Sequence, residues 1–482
     1  MRDFRSILNI IGILLCIESI AMLVPMVFDL YFKNDDWVQF FYSSLITFFI
    51  GIIFNISFRK KNIKLGIREA FVLTISSWII ISIFGSLPFI YSSSNLTYTD
   101  AFFESVSGIT TTGSTVISNL ENLTHGILIW RSILQWFGGI GIIVLAMAIL
   151  PTLQIGGMQL LHMEHDDPYE KTIPKVNRFV LELFFLYVFL TIICALLYFL
   201  NGMMVFDSII HSMTTISTGG FSNYNQSFSY FNSFQIEVVS VIFMIIGSLP
   251  FVLYLQFLHR QKNSFLKDDQ IKLFFLIIFI IVILSTAWLT INKNYDVLSS
   301  FRFALFNIIS ILTGTGYSSS NFSNWGSFGT VIMMIIMFIG GCAGSTTGGI
   351  KIFRLQILFR GARTQIKKLI QPHAVLVMRF NGKTVNDNTY SSVMGFFFMY
   401  ILLFIISAIS LSFFSLDFLT AFSAAASAIS NVGPGIGDII GPMGNYSSLD
   451  NGAKWILAIT MIVGRLEIFT VLVLLSLNFW KN

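Results

Sequence analysis

Thr110-Thr111-Thr112-Gly113-Ser114, Ile216-Ser217-Thr218-Gly219-Gly220, Thr313-Gly314-Thr315-Gly316-Tyr317 and Ser430-Asn431-Val432-Gly433-Pro434 are four polar, glycine-bearing stretches in an apolar chain. Each closes a short apolar segment: Asp100–Thr111, Phe206–Ser217, Phe301–Leu312 and Asp417–Ser430. A segment of about a dozen residues cannot cross roughly 30 Å of hydrocarbon, which takes about 20 residues, so these segments are expected to enter a membrane and turn back. Non-helical backbone at that depth survives only where it is buried in protein or lines a water-filled cavity. Aligned on Gly113, Gly219, Gly316 and Gly433, the stretches recur about every hundred residues, the mark of an internal repeat. Gly141, Gly247 and Gly344 follow their anchors by one common interval, inside the next apolar run. The fourth copy has Met461 at that place, and Gly464 lies shortly after it.

The surrounding composition agrees. Of 482 residues, 55% are hydrophobic and 11% charged, against about 25% charged in soluble domains. Apolar runs at Ile7–Tyr31, Phe40–Phe58, Ala70–Tyr91, Gly126–Leu150, Phe179–Leu200, Phe234–Leu258, Leu273–Ile291, Phe328–Phe359, Ser392–Phe414 and Trp455–Phe479 predict ten spans. The first run follows Arg2 and Arg5 as a signal peptide would. It continues to Tyr31, contains Glu18 and lacks a small-residue cleavage site, so it reads as a retained helix. The expected fold is an all-α polytopic membrane protein with a two-helix extension over residues 1–60. Four pseudo-repeated helix–pore helix–filter loop–helix units follow over 61–160, 161–262, 263–372 and 373–482, around a central pore.

A net charge of +5 could suggest nucleic acid, but its distribution points to a membrane. Basic residues cluster at Arg59–Arg68, Arg260–Lys272 and Lys351–Lys383, in loops on one side. Only Lys33, Arg131, Lys293, Arg302 and Lys454 fall on the other side, and Arg465 falls within a span. That asymmetry makes the basic side and both termini cytoplasmic. Cys16, Cys194 and Cys342 lie far apart in apolar runs and form neither a disulfide framework nor a metal motif.

Four extended loops pointing carbonyls at one axis can replace the water shell of a cation without a titratable group. Glycine supplies the unusual backbone angles, and short helices aimed inward by their C-termini add negative dipole ends. The candidate cation-binding residues are Thr110, Thr111, Thr112 and Gly113; Ser217, Thr218, Gly219 and Gly220; Gly314, Thr315 and Gly316; and Asn431, Val432 and Gly433.

These loops, together with Trp136-Phe137-Gly138-Gly139-Ile140-Gly141, the run Gly340–Lys351, and Gly464-Arg465-Leu466-Glu467, make the chain resemble the TrkH/TrkG/KtrB superfamily of microbial potassium transporters over nearly its whole length. The two helices before the first repeat resemble the TrkH type. The resemblance implies potassium as substrate, the four loops as selectivity filter, and a bacterial cytoplasmic (inner) membrane location. It also implies a homodimer and control by a TrkA-type cytosolic nucleotide-binding subunit, for which the basic loops around Arg354–Lys368 offer a landing surface. The loops lack the TVGYG run of tetrameric potassium channels, so strict rejection of sodium is not implied.

Two features interrupt the last spans of the third and fourth repeats. Gly340–Lys351 has poor helix propensity. It reads either as close packing through small residues or as a broken helix whose loop blocks the pore, and the resemblance makes that loop a gate: Gly344, Ser345, Thr346, Thr347, Gly348 and Gly349, with Lys351 at its end. Lys351 either acts on the pore or snorkels to the headgroups. Arg465 lies roughly 15 Å along its span at about 1.5 Å per residue, where a charge costs about 2.5 kcal/mol or more and must face a cavity or a partner. Glu467, two places on, points to another face. Arg465 is therefore expected either in a structural ion pair or facing the pore as a barrier to cations.

Other classes fit less well. Gly344-Ser345-Thr346-Thr347-Gly348-Gly349-Ile350-Lys351 approaches a phosphate-binding loop, but its lysine is one place late and no strand precedes it. His162, Glu164, His165, Asp166 and Asp167 could suggest a membrane metalloenzyme, yet their spacing is not HExxH and they sit in a polar loop before Pro168 and Pro174. His211 reads as a packed side chain. No enzymatic activity is expected and no cofactor. A proton- or sodium-coupled symporter stays open beside a gated channel, with Glu104 and Asp207 as the carboxylates nearest the loops.

Overall fold

The computed structural model describes residues 4–59, 66–146, 176–259, 267–293, 295–374 and 376–481. The candidate metal residues His162–Asp167 and the end of the expected span Gly126–Leu150 lie outside them. Two long helices come first, α1 (Arg5–Phe32) and α2 (Trp37–Ser57). One order of elements then occurs four times: long helix, short helix, loop, helix. It runs through α3 (Ile67–Gly85) with its one-turn continuation α4 (Leu87–Tyr91), α5 (Tyr98–Ile109) and α6 (His125–Val144). The second set is α7 (Val176–Leu200), α8 (Val205–Ile216), α9 (Phe234–Ser248) and α10 (Phe251–Leu258). The third is α11 (Asp269–Lys293), α12 (Val297–Leu312), α13 (Gly326–Phe338) and α14 (Ile352–Ile370). The last is α15 (Asp387–Ser412), α16 (Phe418–Ser430), α17 (Asn451–Arg465) and α18 (Ile468–Leu475), followed by α19 (Leu477–Lys481).

The four short helices fall where the apolar segments predicted them. Three carry side-chain N-caps: Thr97 accepts from the Asp100 amide, Asp296 from Ser299 and Asp417 from Thr420, each satisfying a donor that helix geometry leaves open. They are buried nearly all round, α5 from Ala101 to Ile109 and α16 from Ala424 to Ser430. That requires small residues, because helices inside a bilayer gain little from the hydrophobic effect and associate through close packing. Phe103, Val106, Ala421, Ala425, Leu457 and Met461 belong to one buried apolar cluster joining the first and fourth sets. Tyr198, Ile216, Phe228, Met244, Ile308 and Tyr317 belong to another joining the second and third. Large apolar side chains such as Phe49 and Phe279 face outward from the long helices, as expected of lipid-facing surfaces.

Among the described residues seven helices are long and apolar enough to cross a membrane, or nine if two bent pairs each count as one span. Ten were expected, and the bends account for part of the difference. Phe234–Leu258 was expected to run straight, yet α9 and α10 meet at 90°. Pro250 has no amide hydrogen and forces Leu249 into an extended conformation, φ −87° and ψ 158°. Trp455–Phe479 was likewise expected as one span, and α17 and α18 meet at 109°. Phe328–Phe359 is no single helix either: α13 stops at Phe338 and α14 starts at Ile352.

The N-terminal pair is fastened to the rest by its polar ends. Asp29 accepts from the Gly126 amide at 2.7 Å, and Asp36 accepts from Ser93 Oγ at 2.7 Å and Thr124 Oγ1 at 2.8 Å. α1 and α2 touch at Gly12 and Gly51, where a methyl on Gly12 would lie 2.7 Å from the Gly51 carbonyl oxygen and 2.8 Å from Asn55 N. Replacing Gly12 by leucine is expected to push the two helices apart at a cost of about 1–3 kcal/mol, read as a lower melting temperature of the detergent-solubilised protein. An unchanged melting temperature would show that this contact is not limiting.

Candidate functional site

The loops after α5, α8, α12 and α16 share one backbone path. Two positive φ angles occur in each, at Thr111 (51°) and Gly113 (84°), Thr218 (50°) and Gly220 (80°), Gly314 (71°) and Gly316 (81°), and Asn431 (55°) and Gly433 (107°). The amides between and at these positions turn back onto one helix carbonyl. Thr112 N and Gly113 N donate to Ser107 O, Gly219 N and Gly220 N to Thr214 O, Thr315 N and Gly316 N to Ser310 O, and Val432 N to Ser427 O. This geometry corrects the repeat register. The second loop's equivalent of Gly113 is Gly220 and not Gly219, which lacks the positive φ.

The four loops close on one another. A methyl on Gly113 would overlap Gly219 O, one on Gly220 would overlap Thr315 O, one on Gly316 would overlap Val432 O, and one on Gly433 would lie 2.7 Å from Thr112 O. Each glycine thus backs onto the carbonyl preceding its counterpart in the next loop, and the fourth returns to the first. A cavity of about 210 Å³ adjoins them, lined by all four glycines, Arg131 and Tyr446. All fourteen sequence-derived candidates lie on these four loops, and the Thr, Ser and Asn side chains among them are buried. Thr110 Oγ1 meets Thr112 Oγ1 at 2.7 Å, and Asn431 Nδ2 donates to Thr112 Oγ1 at 3.0 Å across the first and fourth loops.

The helices behind the loops approach closely through glycine. A methyl on Gly138 would overlap the Ile109 carbonyl oxygen, one on Gly464 would overlap that of Ile429, and one on Gly247 would stand 3.0 Å from that of Ile216. Gly141 has only Trp78 near it, at 3.8 Å, and the Gly344 carbonyl accepts from Phe251 N. With Gly220 as the second anchor, Gly247 no longer keeps the interval that Gly141 and Gly344 keep from theirs.

The carboxylates nearest the loops are engaged. Glu104 accepts from Arg131 Nε at 2.8 Å, Thr115 Oγ1 at 3.0 Å and Val116 N at 3.0 Å. Arg131 also donates to Ser222 O at 2.9 Å and lies 4.1 Å from the Phe221 ring centre. Asp207 accepts from Asn223 Nδ2 at 2.6 Å and Tyr224 OH at 2.8 Å. His211 is buried with both ring nitrogens placed, 2.9 Å from Asp207 O and 3.0 Å from Ser222 Oγ, which matches its reading as a packed side chain. Gln135 and Tyr446, which motif reading passed over, also touch the loops: Gln135 Nε2 donates to Gly219 O at 2.6 Å, and Tyr446 OH donates to Gly433 O at 2.9 Å. Neither side chain carries a local signal, since each reaches the loops from a distant segment.

The non-helical stretch Ile339–Lys351 packs against the ends of α8, α9 and α16. Thr346 Oγ1 donates to Gly247 O at 2.9 Å and receives Thr218 Oγ1 at 3.1 Å, Cys342 N donates to Ser248 O and Phe251 N to Gly344 O, and a methyl on Gly348 would overlap Ser430 O. Within the stretch, Ile339 and Ile350 form a parallel bridge. Lys351 is 7% exposed and donates to the Thr347 carbonyl and, at 3.0 Å, to Thr347 Oγ1, so it does not snorkel. Arg465 is 3% exposed, and none of its three nitrogens has a hydrogen-bond partner among the described residues. Glu467 pairs instead with Arg354 at 2.7 Å, and Arg354 stacks 3.7 Å from the Phe396 ring centre. Arg354 is thus buried, which removes it from the expected basic landing surface.

Comparison with known proteins follows the same lines. The model of the TrkH family, described as a cation transport protein, matches residues 37–481. The chain is 39% identical to the Trk system potassium uptake protein TrkI of Halomonas elongata, over 100% of this chain and 98% of that protein. It is 37% identical to the Trk system potassium uptake protein TrkH of Escherichia coli, over 99% of this chain and 100% of that one. The crystal structure of the potassium transporter TrkH from Vibrio parahaemolyticus superposes with a TM-score of 0.92 at 36% identity, covering 100% of both chains.

The corrected register separates two neighbouring glycines. Alanine at Gly220 must hold a left-handed conformation, which costs about 1–2 kcal/mol for an L-residue, and its methyl strikes backbone. Alanine at Gly219 has no positive φ to hold, and its methyl meets side-chain atoms of Gln135 instead of backbone. Gly220→Ala is therefore expected to lower thermal stability by more than Gly219→Ala, in melting curves of the two variants side by side. Equal losses would return the register to Gly219.

Proposed function

The chain belongs to the TrkH family of cation transport proteins, and from that membership we propose that it takes potassium up across a bacterial cytoplasmic membrane through a pore formed by four unequal units. The observation that carries this reading is the closed set of four loops, each glycine against the next loop's carbonyl. Such a set supplies oxygens around an axis without a fixed charge, which suits a monovalent cation that must also leave. In this reading residues 61–160, 161–262, 263–372 and 373–482 are the units, residues 1–60 the extension, and α5, α8, α12 and α16 the re-entrant pore helices. The tenth span is the interrupted α13–α14 stretch. The names of the relatives, potassium uptake proteins and a potassium transporter, make potassium the substrate of choice.

Flux is controlled by Ile339–Lys351 and Arg465. The stretch lies across the inner ends of the second and fourth units, bonded to Gly247 and packed on Ser430. Arg465 presents a buried guanidinium without a hydrogen-bond partner among the described residues, and it repels cations leaving the loops. Glu104 and Asp207 are committed to hydrogen bonds, and that favours flow down the potassium gradient over coupling to protons or sodium through either carboxylate. A cytosolic TrkA-type subunit docks on the exposed part of α14, where Arg363, Lys367 and Lys368 remain accessible. Arg360 is less available, since it pairs with Asp269 at 2.7 Å. The protein works as a homodimer with both termini cytoplasmic. Among the described residues no group of three or more His, Cys, Asp or Glu could hold a metal ion, so the enzyme reading rests only on residues 162–167 and gains no support.

Purified protein in liposomes is expected to pass potassium on a potassium gradient alone. A strict need for an imposed proton or sodium gradient would favour the symporter. Arg465→Ala is expected to raise the flux several-fold, since like charges repel strongly where little water screens them. Unchanged flux at normal expression would remove Arg465 as a barrier.

A further inference from the structure

Gln135 stands on α6, in the first unit, but its amide is spent on the second loop. Nε2 donates to Gly219 O at 2.6 Å, and Oε1 accepts from Phe221 N at 3.1 Å. The side chain is fully buried. A carbonyl can only accept and a backbone amide can only donate, so the two partners fix the orientation of the side-chain amide. One side chain therefore braces both peptide groups that flank Gly220, the residue whose positive φ sets the path of this loop.

Gly219 O is also the second loop's member of the set Thr112 O, Gly219 O, Thr315 O and Val432 O, each of which lies against the glycine of a neighbouring loop. Among the described residues the other three accept no hydrogen bond, whereas Gly219 O accepts one from Gln135. The set is thus uneven: three carbonyls are tied only through their chain, and one is also pinned by a side chain from another unit. A pinned carbonyl cannot swing inward to shorten its distance to a small ion, and a donor on its oxygen withdraws part of its negative potential. Both effects disfavour sodium, which needs closer and stronger ligands than potassium, because the number and field strength of the coordinating carbonyls decide that preference in a flexible filter.

We infer that Gln135 is a specificity-determining residue: by clamping Gly219 O and Phe221 N it stops the second loop from closing around sodium. This rests on the reading of the four loops as the cation filter. Gln135 acts through the loop backbone, so it is a positioning residue, and its removal should alter ion choice more than ion flow.

The test is the potassium-to-sodium permeability ratio, from reversal potentials of the reconstituted protein in planar bilayers, for the parent and two variants. Gln135→Met keeps the length without a donor or acceptor. Gln135→Asn keeps the amide but is one methylene too short to bridge both groups, and it carries the test if the methionine variant does not fold. In each folded variant the ratio is expected to fall by roughly three- to tenfold, the range one net hydrogen bond supports, with potassium current retained. A parent protein that passes potassium and sodium alike would overturn the filter reading itself. A selective parent with folded variants of unchanged ratio would overturn the role of Gln135 alone. Loss of all current in a folded variant would also overturn it, because a brace that tunes selectivity leaves conduction in place.

Discussion

A helix that stops inside a packed interior leaves its last carbonyls and the next amides without water to satisfy them, and four such ends meet in this protein. The chain answers each in the same way, by curling the following amides back onto Ser107, Thr214, Ser310 or Ser427. That turn needs two positive φ angles within three residues, and this explains the glycines at 113, 220, 316 and 433. Of the flanking side chains, Thr110, Thr112, Ser114, Thr315 and Asn431 bond within their own loop or to a neighbouring one. Large side chains at the helix ends would hold the units apart, so Gly138, Gly247 and Gly464 stand where the neighbouring carbonyls must be approached closely.

The same requirement governs the interrupted spans. Ile339–Lys351 gives up helical hydrogen bonds and recovers them from Gly247, Ser248, Phe251 and its own Thr347. Glu467 sits at φ 63° and ψ 110°, a conformation that costs an L-residue about 1–3 kcal/mol and persists only when its surroundings impose it. The ion pair with Arg354 is such a constraint, and it joins the start of α14 to the corner between α17 and α18. Three buried cations and one carboxylate thus share this end of the third and fourth units. Lys351 and Arg354 have polar neighbours, while the guanidinium of Arg465 has no hydrogen-bond partner among the described residues.

Much of this was legible in the sequence. The short helices, the loops that follow them, the break after Phe338 and the burial of Arg465 all follow from hydropathy, glycine placement and the cost of a charge in lipid. The kink at Leu249 was legible too, since Pro250 announces it, but a continuous apolar run masked it. The adjacent glycines at 219 and 220 could not be told apart by composition, and only the φ angles separated them. The corner at Glu467 has no local cause, because its partner Arg354 belongs to another unit.

What the sequence by itself determined is the apolar surroundings, the places of the short helices and the polar, glycine-bearing loops that follow them. Those properties are local: each is set by a dozen or so consecutive residues and by what hydrocarbon permits. The tertiary structure decided which glycine takes the strained position, which carbonyls accept a hydrogen bond, and which buried charges find partners. Gln135 shows the difference most plainly, since nothing near it in the chain marks it, yet it holds two peptide groups of the next unit. Side-chain reach across units depends on how the helices pack, and the spacing of residues along one chain does not contain that distance.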